Sequence, residues 1–128
     1  MPMSNVNGLA HIGLHVSSIA RSKAFYTEVL GFAVDFETVT AGGTALCFIN
    51  NNDCMIELIE QPDLHHADGF FEHVALKVEN IEAAVATLKS HGYETEFEIR
   101  EMPMIYNGIK MVMFRGPDGE RLEFNQFL

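Results

Sequence analysis

The sequence predicts an α+β fold made of two β-α-β-β-β modules. In each half, a strand-like run containing a histidine is followed by a helix-like stretch, a glycine and three more strand-like runs, and the last of these contains a glutamate. Equivalent positions recur at nearly constant offsets, since 73 − 11 = 62, 92 − 31 = 61 and 123 − 57 = 66. Such offsets indicate an internal repeat. We expect one domain over 1–128, with module 1 at about 8–61 and module 2 at about 70–128.

In four of the apolar runs, the candidate polar residues and the aliphatic residues fall on opposite faces of the predicted strand. Alternate residues of a strand share a face, and in the run HIGLHV the imidazoles of His11 and His15 fall on the face opposite the aliphatic residues. The runs MIEL, EHVALKV and RLEF divide similarly. We therefore expect one face of each strand to pack on helices. The other faces would line one cavity and carry His11, Glu57, His73 and Glu123.

Both helices have boundary signals in the sequence. Ser17 or Ser18 can cap the first helix, and Gly31 ends it; Asn80 can cap the second helix, and Gly92 closes it. The aliphatic and aromatic stripes between these signals are typical of core positions. Near the end of the chain, the Gly-Pro-Asp-Gly run at 116–119 predicts a turn that joins the last two strands.

The four polar residues on the apolar framework suggest a metal site. Imidazole and carboxylate groups bind borderline divalent metals, and two of each would make an octahedral site with room for water. Any one of His11, Glu57, His73 and Glu123 would more often be a surface residue or a hydrogen-bonded core residue. The hypothesis of a metal-dependent enzyme therefore depends on the occurrence of all four residues together.

Composition limits the remaining possibilities. An apolar fraction of 48% fits a globular domain, no apolar run approaches the roughly 20 residues that cross a bilayer, and no secretory signal is recognised. We expect a soluble cytoplasmic protein without a membrane partner. The formal net charge of −10 disfavours nucleic acid as a partner, because phosphate binding favours a basic face. It also means that an anionic substrate would depend on a few placed cations.

We expect no catalytic role for the two cysteines, for two histidines of a predicted loop or for one apolar segment. Cys47 and Cys54 flank a predicted turn and are expected to be free thiols without a chemical role. His65 and His66 are expected to be solvated loop residues. The apolar segment 102–108 is expected to be a mobile flap or a dimer contact, and the sequence does not separate these two roles.

The motifs together resemble a known group. The runs HIGLHV, SKAFYTEVLGF, MIEL, EHVALKV and RGPDGERLEF look like the vicinal oxygen chelate superfamily, also called the glyoxalase and dioxygenase fold. The resemblance covers about 9–127. Its specific features are His11 in the first strand, the Phe-Tyr helix that ends at Leu-Gly, and the Pro-Asp-Gly turn shortly before the last glutamate, all in the family's order and spacing.

The resemblance implies a fold, a cofactor and an assembly. It implies a curved mixed sheet around a metal site, paired modules that often meet across a homodimer, and one divalent cation such as nickel, cobalt, zinc or manganese. His11, Glu57, His73 and Glu123 match the metal ligands of bacterial lactoylglutathione lyase, glyoxalase I. Related ring-cleaving dioxygenases use two histidines and one glutamate, and methylmalonyl-CoA epimerases typically have glutamine at the position of Glu57.

The reaction implied by the resemblance is proton transfer next to a carbonyl group. A metal at the carbonyl oxygen stabilises the enediolate, and a neighbouring glutamate moves the proton. We expect Glu123 to be this base. Glu57 is the alternative, because the two carboxylates occupy equivalent places in the repeat.

The substrate is less well indicated than the metal chemistry. Where glutathione-dependent glyoxalases usually have an arginine for the glutamyl carboxylate, this chain has His15, and where they often have asparagine it has Gln61. A neutral imidazole is a poor replacement for a bidentate guanidinium. His15 and Gln61 are expected to line the substrate pocket, with a space-filling role as the alternative for His15. Lys77, Arg115 and Arg121 are the candidates to bind a substrate carboxylate, with ordinary surface charge as the alternative.

Three functions remain open at this point. The first is a glyoxalase I-like lyase or isomerase acting on a 2-oxoaldehyde-thiol adduct or a related α-hydroxycarbonyl compound. The second is another metal-dependent enzyme of the superfamily, an epimerase or a dioxygenase. The third is a metal-free protein that sequesters a small ligand on the same fold.

Overall fold

A computed structural model describes Pro2, Met3, Asn5 and residues 8–128. The chain divides into two compact units, Met1–Leu64 and His65–Leu128. Each unit contains a helical stretch and a four-stranded mixed sheet, in the order β-α-β-β-β. The predicted α+β class is confirmed. The single-domain organisation with module bounds at about 8–61 and 70–128 stays a prediction.

The first unit contains a short helix and four strands. These are β1 (Ile12–Val16), α1 (Ile19–Ala24), a π-helical segment (Phe25–Val29), β2 (Ala33–Val39), β3 (Ala45–Asn51) and β4 (Cys54–Glu60). The strand order is β1-β4-β3-β2, with β1 parallel to β4 and the other neighbours antiparallel. The parallel pair brings the beginning of the unit against its last strand.

The first helical stretch begins and ends where the sequence indicates, but only its first part, α1, is α-helical. The side chain of Ser18 caps it by accepting a hydrogen bond from the main-chain N–H of Arg21. From Phe25 onward the turn widens, and the N–H of Leu30 donates to the carbonyl of Phe25, five residues back. The adjacent aromatic residues Phe25 and Tyr26 of this segment are both buried.

The two faces of the first sheet differ as predicted. On the helix-packed face, Ile56 and Leu58 of β4 and Cys47 and Ile49 of β3 are buried. Glu57 lies on the opposite face of the same sheet, because it alternates with Ile56 and Leu58. The edge strand β2 is exposed along its whole length.

The second unit repeats this arrangement. It contains β5 (Val74–Lys77), α2 (Ile81–Ser90), β6 (Arg100–Met102), β7 (Ile109–Arg115) and β8 (Arg121–Phe127). The order is β5-β8-β7-β6, with β5 parallel to β8. Asn80 caps α2 by accepting from the N–H of Ala83, and Gly92 follows the helix with a φ of +88°. Both boundary predictions are confirmed.

The regular strand β6 is shorter than the alternation of burial before it indicates. Residues 93–100 alternate between half-buried and exposed side chains, as a strand would. They pair with β7 only through a bridge between Thr95 and Phe114 and then from Arg100 onward. The pattern of alternation therefore extends beyond the regular hydrogen-bonded ladder.

The turn between β7 and β8 forms at the predicted Gly-Pro-Asp-Gly run. The N–H of Gly119 donates to the carbonyl of Gly116 at 2.9 Å, and Gly119 has a φ of +83° that favours glycine. The carboxylate of Glu120 accepts from the N–H of Asp118 at 2.9 Å. This turn sets the register of β8, which carries Glu123.

Cys47 and Cys54 are both free. In the β3–β4 ladder Cys47 is opposite Leu58, and Cys54 is opposite Asn51, so the two thiols do not face each other. Burial raises the pKa of the Cys47 thiol to about 11. A thiol with this pKa is a weak nucleophile at neutral pH.

Within the part of the chain that the structure describes, the helices are all too short or too polar to cross a bilayer.

Candidate metal centre

In the first unit, His11 and Glu57 form a close pair. The parallel register places Gly13 of β1 beside Glu57 of β4, and His11 lies two residues before Gly13 on the same face. The Nε2 atom of His11 is 3.2 Å from Oε1 of Glu57. The ladder between the first and last strands of the unit thus joins two residues that are 46 positions apart (57 − 11).

The second unit contains the equivalent pair. Parallel pairing places Ala75 of β5 beside Glu123 of β8, and His73 lies two residues before Ala75. The Nε2 atom of His73 is 2.9 Å from Oε1 of Glu123. The structure therefore joins the predicted residues into one His–Glu pair in each unit, from equivalent positions.

The geometry of both pairs fits a shared cation. Two ligand atoms that lie about 2.1 Å from one ion and at right angles to each other are about 3.0 Å apart. The observed Nε2 to Oε1 distances of 3.2 Å and 2.9 Å are close to this value, and they are also the distances of a direct ion pair or hydrogen bond between imidazole and carboxylate. Within neither unit do three His, Cys, Asp or Glu donors converge, among the residues that the structure describes. Each pair would therefore supply two positions of a coordination sphere.

The glutamates are the inner members of the pairs. The side chains of Glu57 and Glu123 are 18% and 8% exposed, against 40% and 33% for His11 and His73. Glu123 is thus the most shielded of the four. A carboxylate in such a position is costly unless it is paired with a cation or a proton.

The imidazole of His73 has a second carboxylate partner that the sequence analysis missed. Its Nδ1 atom is 2.5 Å from Oε1 of Glu72, while Nε2 faces Glu123. Glu72 also forms an ion pair with Arg121. The hydrogen bond with His73 and the charge of Arg121 lower the pKa of the Glu72 carboxyl.

Arg115 and Arg121, both candidates for a substrate carboxylate, have carboxylate partners within their own unit. Arg121 donates from Nε and Nη2 to the two oxygens of Glu96, at 3.2 Å and 3.3 Å. Arg115 also contacts Glu96, at 3.1 Å, and it donates to both oxygens of Asp68. Hydrogen bonds from Arg115 and from His66 lower the pKa of Asp68. Both guanidinium groups are therefore already paired with carboxylates of the protein.

The other predicted substrate residues have fewer contacts. His15 is exposed on the face that carries Glu57, and Lys77 is exposed opposite Asn125. Gln61 follows β4, and its main-chain N–H donates to the carbonyl of Val16 at 2.7 Å. Among the described residues, neither His15 nor Lys77 has an ion pair within 4.0 Å. Substrate binding by these residues stays a prediction.

The loop and flap predictions have mixed outcomes. His65 and His66 are exposed, as expected for a loop, but His66 has a specific partner, with Nε2 2.9 Å from Oδ1 of Asp68. In the segment 102–108, Tyr106 is 83% exposed and its ring meets that of Phe127, with centroids 5.6 Å apart. The role of this segment as a flap or as a dimer contact stays a prediction.

Aromatic rings adjoin the pair in the first unit. Phe48 of β3 is in register with both Glu57 and Phe36, so these three lie on one face of the sheet. The edge of His11 meets Phe48, with centroids 5.4 Å apart. Whatever binds at His11 and Glu57 would therefore adjoin an aromatic surface.

One polar atom near Glu123 lacks a partner. Asn125 lies two residues after Glu123 on β8 and on the same face. Its Oδ1 is the one buried side-chain oxygen or nitrogen without a hydrogen bond among the described residues. Unpaired buried oxygens are uncommon. The sequence could have indicated Asn125, because alternate residues of a strand share a face and Asn125 is two positions after Glu123.

Comparison with known proteins identifies the family. Residues 8–124 match the Glyoxalase/Bleomycin resistance protein/Dioxygenase superfamily. The chain belongs to this superfamily. The superfamily-level resemblance of the sequence motifs is thereby confirmed, whereas the glyoxalase I subtype is not decided by the match.

Relatives within the superfamily cover nearly the whole chain. The uncharacterized protein YaeR of Escherichia coli (strain K12) is 35% identical over 133 residues, which are 94% of this chain and 97% of that protein. A crystal structure of a glyoxalase family protein from Enterococcus faecalis has a TM-score of 0.78 and 28% identity, covering 94% of this chain and 98% of that chain.

A structure with bound metal shares the fold. The fosfomycin resistance protein FosX from Listeria monocytogenes, complexed with Mn(II) and sulfate ion, has a TM-score of 0.75 and 17% identity, covering 96% of this chain and 94% of that chain. At this identity the likeness establishes the fold alone.

Proposed function

We propose that this protein is a metal-dependent lyase or isomerase of the glyoxalase I type, with His11, Glu57, His73 and Glu123 as ligands of one divalent cation. The observation that carries the proposal is the pair of Nε2 to Oε1 distances, 3.2 Å in the first unit and 2.9 Å in the second. Equivalent positions of the repeat present the same two donor types at the spacing of neighbouring metal ligands. Mn(II) in the FosX structure shows that this fold accommodates a divalent metal.

The chemistry of the donors limits the choice of metal. Two imidazoles and two carboxylates suit nickel, cobalt, zinc or manganese, and the remaining positions would be open to water or substrate. When bound, such a cation supplies Lewis acidity, which stabilises negative charge on the oxygens of a substrate.

Glu123 is our candidate for the general base. It would take a proton from the carbon next to the substrate carbonyl and return it to the neighbouring carbon, so that the hydrogen moves between two adjacent carbons without a net change in composition. Glu123 is buried, with 6% of its surface exposed, so water has little access to its carboxylate. Glu57 has the equivalent position in the first unit and is the alternative base.

The proposed substrate is a 2-oxoaldehyde-thiol adduct or a related α-hydroxycarbonyl compound. Glutathione is a poorly matched thiol, because His15 replaces the arginine of glutathione-dependent relatives and because Arg115 and Arg121 already pair with Asp68, Glu72 and Glu96. Of the three predicted cations, Lys77 is the one without a carboxylate partner among the described residues, and it is our candidate to bind a substrate carboxylate. A thiol with fewer negative charges would suit this set of residues better.

The test is a metal-reconstituted assay. Protein stripped with a chelator would be loaded separately with nickel, cobalt, zinc or manganese and supplied with methylglyoxal and a panel of thiols that includes glutathione. We expect isomerisation that requires metal and is lost in the Glu123→Gln variant. Stoichiometric metal binding without activity on any adduct would instead favour an epimerase or a dioxygenase. Failure to bind any of the four metals would favour a metal-free ligand-binding protein.

A further inference from the structure

Glu72 provides His73 with a carboxylate contact at Nδ1 that His11 lacks among the described residues of the first unit. The Oε1 atom of Glu72 is 2.5 Å from Nδ1 of His73, on the opposite side of the ring from Glu123. In the tautomer with Nδ1 protonated and donating to Glu72, Nε2, on the side of Glu123, keeps its lone pair for a cation. The hydrogen bond thus determines which nitrogen of His73 is available as a ligand.

Glu72 is itself held in place. It forms an ion pair with Arg121, which in turn donates two hydrogen bonds to Glu96. Arg121 lies on β8 two residues before Glu123, on the same face. One strand therefore positions Glu123 directly and His73 indirectly, through Arg121 and Glu72.

The repeat shows that this arrangement is specific to the second unit. The offset of 62 residues that relates His73 to His11 relates Glu72 to Ala10, whose side chain cannot accept a hydrogen bond. The ring of His11 instead meets the edge of Phe48, with centroids 5.4 Å apart. The two histidines would thus differ in how firmly their rings are oriented.

We propose that Glu72 is a positioning residue that orients the imidazole of His73 for metal binding, through the chain Arg121, Glu72, His73. This inference rests on the proposed function, since it assigns a role toward the same metal. Carboxylates that accept the second N–H of a metal-binding histidine fix its tautomer and raise its basicity. Removal of such partners typically costs about 10- to 100-fold in metal affinity.

The experiment measures Co²⁺ binding to chelator-stripped full-length protein by the visible absorption of the bound ion, which also reports its ligand geometry. We compare wild type with Glu72→Ala, which removes the acceptor, and Glu72→Gln, which keeps an oxygen acceptor but removes the charge. We expect the Co²⁺ dissociation constant to rise about 10- to 100-fold for Glu72→Ala and less for Glu72→Gln. The absorption spectrum of the Glu72→Ala complex should change shape.

Glu94→Gln is the matched control. It removes one negative charge from the same unit, and Glu94 is exposed and is not part of the contacts that link Arg121, Glu72 and His73. Its Co²⁺ affinity and spectrum should equal those of wild type. A loss in this variant as large as in Glu72→Ala would show a general charge effect and overturn the positioning role.

Other outcomes separate this inference from the proposed function. If wild type binds Co²⁺ and His73→Ala loses it while both Glu72 variants match wild type, the metal site stands and the role of Glu72 is refuted. If wild type binds no Co²⁺, the metal-dependent function and the role of Glu72 fail together. Circular dichroism of each variant checks that folding is retained, which the 54% exposure of the Glu72 side chain favours.

Discussion

The carboxylate of Glu60 accepts a hydrogen bond from the main-chain N–H of Ile19, with Oε2 and N 2.8 Å apart. Ile19 is the first residue of α1, and Glu60 is the last residue of β4, three positions after Glu57. The second unit has the same relationship, since Gln126, three positions after Glu123, accepts from the N–H of Ile81 at 2.8 Å. In each unit the strand that carries the candidate ligand also anchors the start of the helix.

This relationship predicts a stability effect. Helix N-terminal N–H groups lack partners within the helix, so Glu60→Ala should lower the free energy of unfolding by about 1–3 kcal/mol, and Gln126→Ala by about 0.5–1.5 kcal/mol. Glu60→Gln should recover much of the loss, because it keeps an acceptor. Urea denaturation measures these changes. The exposed Glu94 offers a control, and an equal loss in Glu94→Ala would contradict the explanation.

The two kinds of ligand should respond differently to substitution. In Glu123→Gln an oxygen ligand is retained but the base is lost, so we expect metal to stay bound while turnover falls by about 10²- to 10⁴-fold. His11→Ala loses an imidazole ligand and should bind metal more weakly. Metal analysis after gel filtration, together with single-turnover kinetics, distinguishes these effects. Full activity of the Glu123→Gln variant would contradict this assignment and indicate that Glu57 is the base.

The identity of residue 15 predicts a change in thiol preference. His15→Arg introduces the guanidinium that glutathione-dependent relatives use, and it should lower KM for the glutathione hemithioacetal with little change in kcat. His15→Gln is the control, since it changes the side chain without adding charge. Efficient glutathione turnover by wild type would mean that another cation, such as Lys77, already binds the glutamyl carboxylate.

The free cysteines should differ in reactivity. Because burial raises the pKa of Cys47 to about 11, the thiolate fraction of this residue at pH 8 is only about one in a thousand. Cys54 is less buried, and burial also raises its pKa. We expect dithionitrobenzoate to label Cys54 slowly in the native protein and Cys47 only as the pH approaches 11 or after unfolding. The Cys54→Ser variant tests this, since rapid native labelling at pH 8 would contradict burial of Cys47.

The protein is expected to be a homodimer. Several large apolar side chains are exposed, among them Phe36 on the edge strand β2 at 56%, and Phe70 and Phe71 at 98% and 92%. Exposed apolar side chains and open strand edges favour association. Sedimentation velocity at micromolar concentration should give a species of twice the chain mass. A monomer under these conditions would refute the prediction.

A mixing experiment tests whether the metal ligands come from one chain or two. Inactive His11→Ala and His73→Ala proteins would be unfolded together and refolded. If the site is shared across the dimer, a mixed dimer contains one intact ligand set, and part of the activity returns. If each chain supplies all four ligands, every site retains one defect and activity stays absent.

The sequence by itself determined the features that depend on local spacing. The offsets of the repeat predicted both β-α-β-β-β units, because each strand and helix has its own period of apolar residues. Ser18, Asn80 and the Gly-Pro-Asp-Gly turn were recognisable because caps and turns depend on residues a few positions apart. The alternation of strand residues also placed Glu57 and Glu123 on the faces opposite the core.

The tertiary structure decided the contacts between residues far apart in the chain. Arg121 and Glu72 are separated by 49 positions, Glu60 and Ile19 by 41, and Gln126 and Ile81 by 45. No local pattern distinguishes Arg115 and Arg121 from free surface cations, because their pairing depends on which carboxylates the neighbouring segments bring within about 4 Å. The π-helical segment after α1, which contains the adjacent buried residues Phe25 and Tyr26, was likewise not indicated by any local pattern in the sequence.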